Sequence, residues 1–460
     1  MSEARVLDAD VGVIGAGPAG LAAARRLAAA GLRVVVLDEA PQPGGQIFRQ
    51  APPGAPALPG GEPPSHHAGH ELLAAAAALP IVWCAGATVW DAQPGRLWFE
   101  RDGASWLVRC REIVLAPGAY DRCIPFPGWT LPGVVTAGAV QVMVRGFGVA
   151  PGRRALVAGS GPLLLPTITA LVAAGVEVVA ALEAAPRWPA LRALPRVLGN
   201  GARRREAFWY ARRLLAAGVR LRWGHTVFAC DGDGRVQRAV VGRVTADGRP
   251  VRGSERTLAV DLVAVGFGLV PSIELGLRLG CAARHDAVRG GHRLEVDAAQ
   301  RTSVASVYAA GEICGIGGAQ VAAAEGELAA AAILADRGTV QLGAALPRRV
   351  AAERRAADAL LRAFAPLPGL HALATPDTIV CRCEDVPLQR AQAAAAVHGG
   401  SARAIKVGCR AGMGPCQARI CGPSLQALAT GAADRVMDLP VVQVPVKPVG
   451  AATIVDAPPG

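Results

Sequence analysis

Lysine is almost missing from this chain: of 48 basic residues only Lys406 and Lys447 are lysines, and the rest are arginines. Aromatic residues are scarce as well, at 4%. No basic run is long and no basic patch is interleaved with aromatics, so the net charge of +12 does not point to nucleic acid. Arg203, Arg204 and Arg205 form the densest cluster and are expected on a solvated face. The charge is then expected to serve bound dinucleotides or an acidic partner. A long apolar run is missing too. The longest uncharged stretch, 155–176, contains Gly159, Gly161, Pro162 and Pro166 and divides into strand, turn and helix, which argues against a bilayer span. The early charges Glu3, Arg5, Asp8 and Asp10 leave no apolar leader, so the expected location is the cytoplasm. The 52% hydrophobic content is mostly alanine, suited to close helix packing in two to four domains of a 460-residue chain.

What is present is organised around residues 9–39. Val11, Val13 and Ile14 mark a buried strand, followed by Gly15-Ala16-Gly17-Pro18-Ala19-Gly20. A helix over 21–30 and a strand over 33–37 come next, ending in Asp38-Glu39. Gly15 permits the tight turn, Gly17 lets the backbone approach a pyrophosphate, and Gly20 lets helix and strand pack closely. The helix N-terminus offers unpaired amides to phosphates, and an acid about 20 positions on holds a ribose hydroxyl. The pattern returns at 155–183: a strand, then Gly159-Ser160-Gly161-Pro162, a helix over 163–174, a strand over 176–182, and Glu183 as the ribose acid. Its third glycine position is Leu164, so packing there is expected to be looser and the ligand is left open as NAD(P) or another adenine nucleotide.

The turn Pro41–Gln46 is expected close to a cofactor. Residues 51–70 read as a Pro- and Gly-rich solvated loop, whose His66, His67 and His70 have metal-like spacing but no supporting carboxylate or cysteine. Residues 81–115 alternate like a small antiparallel sheet (81–83, 88–90, 96–100, 106–109) and lead to a buried strand ending at Ala116-Pro117-Gly118. A strand over 258–265 and another over 307–310, ending in Gly311-Glu312, precede an alanine-rich helix from Ala319. One domain over 1–120 and 266–340, with a second inserted over 121–265, accounts for this order. Residues 341–375 read as a helical, arginine-rich linker and 436–460 as an extended tail.

Of eleven cysteines, six are scattered through the first 330 residues, while Cys381, Cys383, Cys409, Cys416 and Cys421 crowd into about forty. Cys381-Arg382-Cys383 is separated by thirty-two residues from Cys416, and Cys421 follows after four more. Two close thiolate pairs suit a two-iron two-sulfur cluster. Zinc, which also accepts four thiolates, is the chemical rival. Gly412, Gly414 and Gly422 allow a loop to wrap closely with amides available to the sulfurs, and Cys409 is expected not to be a ligand.

The CxC and CxxxxC pairs resemble the bacterioferritin-associated-ferredoxin type of cluster domain, expected over 376–435. Cys381-Arg382-Cys383-Glu384 and Arg410-Ala411-Gly412-Met413-Gly414-Pro415-Cys416-Gln417 are further similar to one flavoprotein family. These are the larger, α-type subunits of heteromeric FAD-dependent amine and amino-acid dehydrogenases, including opine oxidase, hydroxyproline and proline dehydrogenase complexes, and hydrogen cyanide synthase. Pro43-Gly44-Gly45-Gln46-Ile47, Gly118-Ala119-Tyr120-Asp121-Arg122, Pro125–Trp129 and Gly159–Pro166 match as well. The resemblance implies an α/β flavoprotein with two dinucleotide-binding domains of Rossmann type and an appended small helical iron–sulfur domain. It implies FAD contacts at Gly15, Ala16, Gly17, Pro18, Ala19, Gly20, Asp38 in preference to Glu39, Gly45, Gln46, Ala116, Gly118, Gly311 and Glu312. Glu312 departs from the commoner aspartate, and Cys409 from a frequent threonine. It implies a 2Fe-2S cluster on Cys381, Cys383, Cys416 and Cys421, and leaves open an FMN at a subunit interface and a nucleotide at Gly159, Gly161 and Glu183. The implied partners are a smaller amino-acid-oxidase-like FAD subunit, with a small ferredoxin-like third subunit also open, and an external electron acceptor. Peripheral association with the inner face of the membrane is left open.

No CxxC or CxxxxC pair precedes Cys381, which argues against disulfide reduction. No acid–base pair for substrate stands out, and His225, His285 and His292 read as isolated structural or solvated residues. The resemblance implies that substrate oxidation resides on the smaller flavoprotein partner. A self-contained NAD(P)H-dependent flavin oxidoreductase, a glycine-oxidising hydrogen cyanide synthase component and a non-enzymatic scaffold are the alternatives.

Overall fold

The computed structural model describes residues 5–51, 54, 61–431, 438–439 and 442–459. The first sheet is all parallel, in the order Val307–Ala309, Glu112–Leu115, Val11–Ile14, Val34–Asp38, Ile81–Ala85. Val11–Ile14 is buried at every position, as a central parallel strand covered on both faces must be. α1 (Pro18–Ala29) starts with proline at its first position, where φ is already helical and the missing N–H costs nothing. The 81–85 strand therefore belongs to this sheet. The expected antiparallel sheet keeps only Thr88–Gln93, Arg96–Arg101 and Ala104–Arg109, with Val6–Asp8 added parallel at its edge.

The expected loop over 51–70 is also corrected. Its described second half forms α2 (Pro64–Ala77), because the apolar run that follows the histidines can pack on α1. His66 is buried edge-on to Phe48, and His70 meets Glu62 at 2.7 Å, so a carboxylate does lie beside these histidines. Residues 52–53 and 55–60 of that stretch lie outside the described residues.

The second sheet is parallel too: Val134–Thr136, Leu262–Gly266, Arg154–Gly159, Glu177–Glu183, Leu221–Trp223. α3 (Ala137–Gln141), which continues as a π-turn over Val142–Gly146, and α4 (Leu164–Ala173) pack on it. α5 (Arg187–Leu198) and α6 (Gly201–Ala216) form a hairpin between its fourth and fifth strands. The single strand expected over 258–265 is two: Arg256–Ala259 joins an antiparallel sheet with Arg238–Arg243 and His225–Asp231, while Leu262–Gly266 enters the parallel one. His285 and His292, read as isolated, face each other on a hairpin with ring centres 5.1 Å apart.

α7 (Glu274–Arg278) is short, and α8 (Ala319–Asp336) lies along α1. Gly326 is the contact point: a Cβ there would run into the Ala19 carbonyl oxygen. α9 (Ala345–Ala363) is more than a linker, since Val350, Arg354, Ala357 and Asp358 form a buried stripe on it. Arg354 makes a two-pronged bond to Glu325 (2.6 and 2.9 Å) and reaches the Gly315 and Ile316 carbonyls, while Asp358 pairs with Arg289 at 2.7 Å. α10 (Leu388–His398), α11 (Ala402–Cys409) and α12 (Gly422–Thr430) surround their own small core of Val380, Val386, Ile405, Leu425 and Leu428.

The tail is corrected from an extended arm to one that folds back on the antiparallel sheet and contains α13 (Ala451–Val455). Trp98 Nε1 donates to the Pro458 carbonyl (3.1 Å), and Val446 is buried with its amide on the Trp90 carbonyl. Residues 432–437 and 440–441 lie outside the described residues. Among those described, no helix is long and apolar enough to cross a membrane.

Two outcomes test this packing. Gly326→Ala should destabilise by about 1–2 kcal/mol, because displacing the α1 backbone outweighs the gain of about 1 kcal/mol in helix propensity; a raised melting temperature would contradict the contact. Burial pushes His66 and His371 down to about 4. Between that value and 6.5 the unfolded chain binds more protons, so stability is lost as pH falls through this window, by about 2–3 kcal/mol per histidine. Urea unfolding at pH 7 and pH 4.5 measures it, and the double His→Gln variant should flatten the difference.

Candidate cofactor sites

Ile14 stands in register with Leu37 on one side and Leu115 on the other, which sets Gly15, Asp38 and Ala116 side by side beyond the strand ends. Ligands of open parallel sheets bind at this edge. Gly15 has φ +97°, and any Cβ there would strike the Ala116 carbonyl. Gly45 turns back so closely that its Cβ would sit 2.7 Å from the Gly17 Cα. The α1 N-cap, Gly17, supplies no side-chain cap, so the first amides stay free for an anion. Asp38 brackets the turn, accepting from the Ala16 amide on one oxygen and the Ala40 amide on the other. Burial raises its pKa while the two amides oppose the rise.

Glu39 is exposed and paired with Lys447 of the tail. Gln46 accepts from Arg49 at 2.6 Å. Gly118 borders open space. The Gly311 amide donates to Glu325 (2.9 Å), and Glu312 accepts from the Gly317 and Gly318 amides, both at 2.8 Å. Among the described residues Gln42 Oε1 and Gln320 Oε1 are buried with no hydrogen-bond partner. Touching glycine turns, an uncapped helix end and unpartnered buried oxygens fit a bound dinucleotide.

The second glycine motif repeats the bracket. Gly159, Glu183 and Trp223 stand in one row, and Glu183 accepts from the Gly161 (2.9 Å) and Ala185 (2.8 Å) amides. Burial lifts Glu183 to about 7. Here the crevice differs. Phe364, just past α9, stacks on Trp223 at 6.1 Å and lies 3.9 Å from where a Gly161 Cβ would be. Phe364 had no mark in the sequence, since its contact depends on where α9 ends.

The four cysteines come together as two pairs, Cys381 with Cys421 and Cys383 with Cys416. The Cys421 thiol donates to Cys381, which with the Gly412, Glu384 and Cys383 amides lowers Cys381 to about 6 and raises Cys421. Gly412 donates at 3.4 Å, and Gly414 leaves no room for a side chain beside Cys383. Among the described residues no three Cys, His, Asp or Glu side chains are placed as a group for a metal ion. The paired sulfurs and inward amides are the donor set that a thiolate-held cluster uses. Cys409 instead donates to the Ile405 carbonyl at 3.1 Å.

This module is seated on the rest of the chain by buried bonds. Trp129 Nε1 donates to the Ile379 carbonyl (2.6 Å), Ser424 donates to the Cys123 carbonyl (3.0 Å), and Arg419 pairs with Glu274 at 3.1 Å. Arg419 lies between two of the cysteines, a role its sequence context did not reveal.

Residues 9–326 match the family model described as pyridine nucleotide-disulphide oxidoreductase. The chain belongs to this family. Membership implies an oxidoreductase and a bound FAD. The A subunit of opine oxidase from Agrobacterium tumefaciens (strain Ach5) is 33% identical over 98% of this chain and 92% of its own length. The HcnB subunit of hydrogen cyanide synthase from Pseudomonas aeruginosa is 31% identical over 89% of this chain and 90% of its own length. The structure of L-proline dehydrogenase from P. horikoshii superposes with a TM-score of 0.69 at 21% identity, covering 99% of this chain and 81% of that one, a likeness of fold. Within the matched region all six cysteines are free, and burial pushes Cys110, Cys123 and Cys230 up to about 12, so those three are inert at neutral pH.

Asp38 and Glu39 separate cleanly by mutation. Asp38→Ala orphans two amides and should weaken FAD binding about a hundredfold, a loss of about 3 kcal/mol. Glu39→Ala should retain the flavin. The ratio of flavin to protein absorbance after dialysis reads both, and equal retention would remove Asp38 from the site.

Proposed function

We propose that this chain is the α-type subunit of a heteromeric FAD-dependent dehydrogenase acting on an amino acid or secondary amine of the opine, hydroxyproline or proline class. A 2Fe-2S cluster sits on Cys381, Cys383, Cys416 and Cys421. Residues 1–120 and 266–340 then hold FAD, 121–265 are the inserted unit, and 376–435 are the cluster domain. The observation that carries this reading is the paired thiol quartet seated against a flavin-type fold that has no redox cysteine pair of its own. The names of the relatives, components of opine oxidase and of hydrogen cyanide synthase, support it.

Gly15, Gly17, Gly45 and the α1 N-terminus would hold the pyrophosphate, and Asp38 the adenosine ribose. When bound, flavin and cluster together let a two-electron donor be drained one electron at a time. The strand Ala119–Asp121 leaves the flavin turn at Gly118 and leads directly to Cys123, whose carbonyl is bonded to the cysteine module. This chain's residues would thus hold the two carriers at the ends of one short path, covalent from Gly118 to Cys123 and hydrogen-bonded from there to Ser424. Oxidation of substrate belongs to a smaller FAD-bearing partner, with an FMN at the interface and a small third subunit as further components of the same assembly.

Glu183 and its glycine turn favour a second reading, a self-contained NAD(P)H-dependent flavin oxidoreductase. Phe364, whose Cβ faces the Gly161 turn while its ring stacks on Trp223, weighs against it, since the chain after α9 crowds the approach to that turn.

Dithionite should produce a reduced-cluster EPR signal that is lost in Cys381→Ser and Cys416→Ser; an unchanged signal in either variant refutes the ligand set. Prompt bleaching of the purified chain's flavin by NADH would sink the relay reading in favour of the second.

A further inference from the structure

The α5–α6 hairpin carries an exposed face on which arginines alternate with large apolar residues. Between 187 and 216 there are eight arginines and one acid. That acid, Glu206, is turned inward, accepting from Ser65 of α2 at 2.8 Å. The turn is pinned as well: Asn200 caps α6 and donates to Glu353 of α9 (3.1 Å), where Arg203 also pairs at 3.5 Å. α5 packs on α9, and α6 packs on α2 and α4, with Ala193 and Tyr210 on the covered side.

The opposite side is open and strongly apolar. Trp188 and Phe208 are each 72% exposed and Leu215 is 83% exposed, with Leu191 and Leu194 exposed beside them. These residues alternate with arginine at helical spacing. Trp188, Leu191, Arg192 and Pro195 follow one another along α5, and Arg204, Phe208, Arg212 and Leu215 recur at intervals of four, four and three along α6. Arg187, Arg192, Arg196, Arg205 and Arg212 are exposed and form no ion pair among the described residues.

Independently of the proposed reaction, we propose that this face docks the chain on an anionic lipid surface, with Trp188, Phe208 and Leu215 entering the acyl boundary and the arginines meeting lipid phosphates. The charge pattern selects that occupant. Arg187, Arg192, Arg196, Arg205 and Arg212 are exposed on the hairpin and its one acid, Glu206, is not, so the face has a single sign of charge complementary to lipid phosphates. Trp188 and Leu191 on α5 and Phe208 and Leu215 on α6 each have an arginine three or four positions away, which a lipid surface accommodates. Long side chains lay their stems in apolar surroundings and carry the charge up to the headgroups. Guanidinium, the only cationic group on this hairpin, binds phosphate oxygens in pairs.

The test is co-sedimentation of the full-length, flavin-loaded chain with vesicles of phosphatidylcholine alone or mixed with phosphatidylglycerol. Partition should rise on the anionic vesicles and fall with added salt. Each arginine removed should cost about fivefold, so R192Q/R205Q/R212Q should lose about a hundredfold. W188S/F208S/L215S should abolish the binding that survives high salt. Circular dichroism and flavin content check that both variants are folded. Equal partition to neutral and anionic vesicles, or undiminished binding by either variant, overturns the proposal. So does finding this face covered by a partner protein in a complex that no longer binds vesicles.

Discussion

The buried pair of Arg354 and Glu325 is the joint on which the molecule turns. Glu325, on α8, holds the Gly311 amide, and Arg354, on α9, neutralises that carboxylate while binding the Gly315 and Ile316 carbonyls. One guanidinium therefore fixes the loop at the end of the first sheet, the helix lying on α1 and the segment leading toward the cysteine module. A charge this deep is tolerated only because its partner and its remaining donors are matched. Removing one member would leave the other buried and unpaired.

The two glycine motifs show how one backbone device serves two different ends. Asp38 and Glu183 each clamp their turn through two amides, so the two turns share one backbone shape. Access separates them. The first turn opens toward Gly118, whereas the second has Phe364 against it. That contact is set by the chain that follows α9, so the second unit is bound up with the path to the cysteine module.

The cysteine module and the tail share a similar logic. Gln417 and Arg419 donate to the Pro445 and Val446 carbonyls, and Lys447 reaches Glu39 beside the first glycine turn. The tail is thus a strap from the cysteine loop to the edge of the first site.

Much was legible in residue order. Gly15, Gly17, Gly20 and Asp38 declare the first βαβ unit because glycine is required by local backbone geometry, and the close spacing of Cys381 with Cys383 and of Cys416 with Cys421 announces a gathering of thiols. Other features had no local sign. That 81–85 joins the parallel sheet and that 64–77 is helical followed from neighbours distant in sequence, which outweighed local propensity. The sequence by itself determined the turns, the strand–helix order and the clustering of the thiols, because each depends on residues adjacent along the chain. Only the tertiary structure decided that Arg354 is a core residue, that Phe364 stands over the second crevice and that Arg419 meets Glu274. These are contacts between segments whose meeting is set by packing, and burial then fixes their energetic weight.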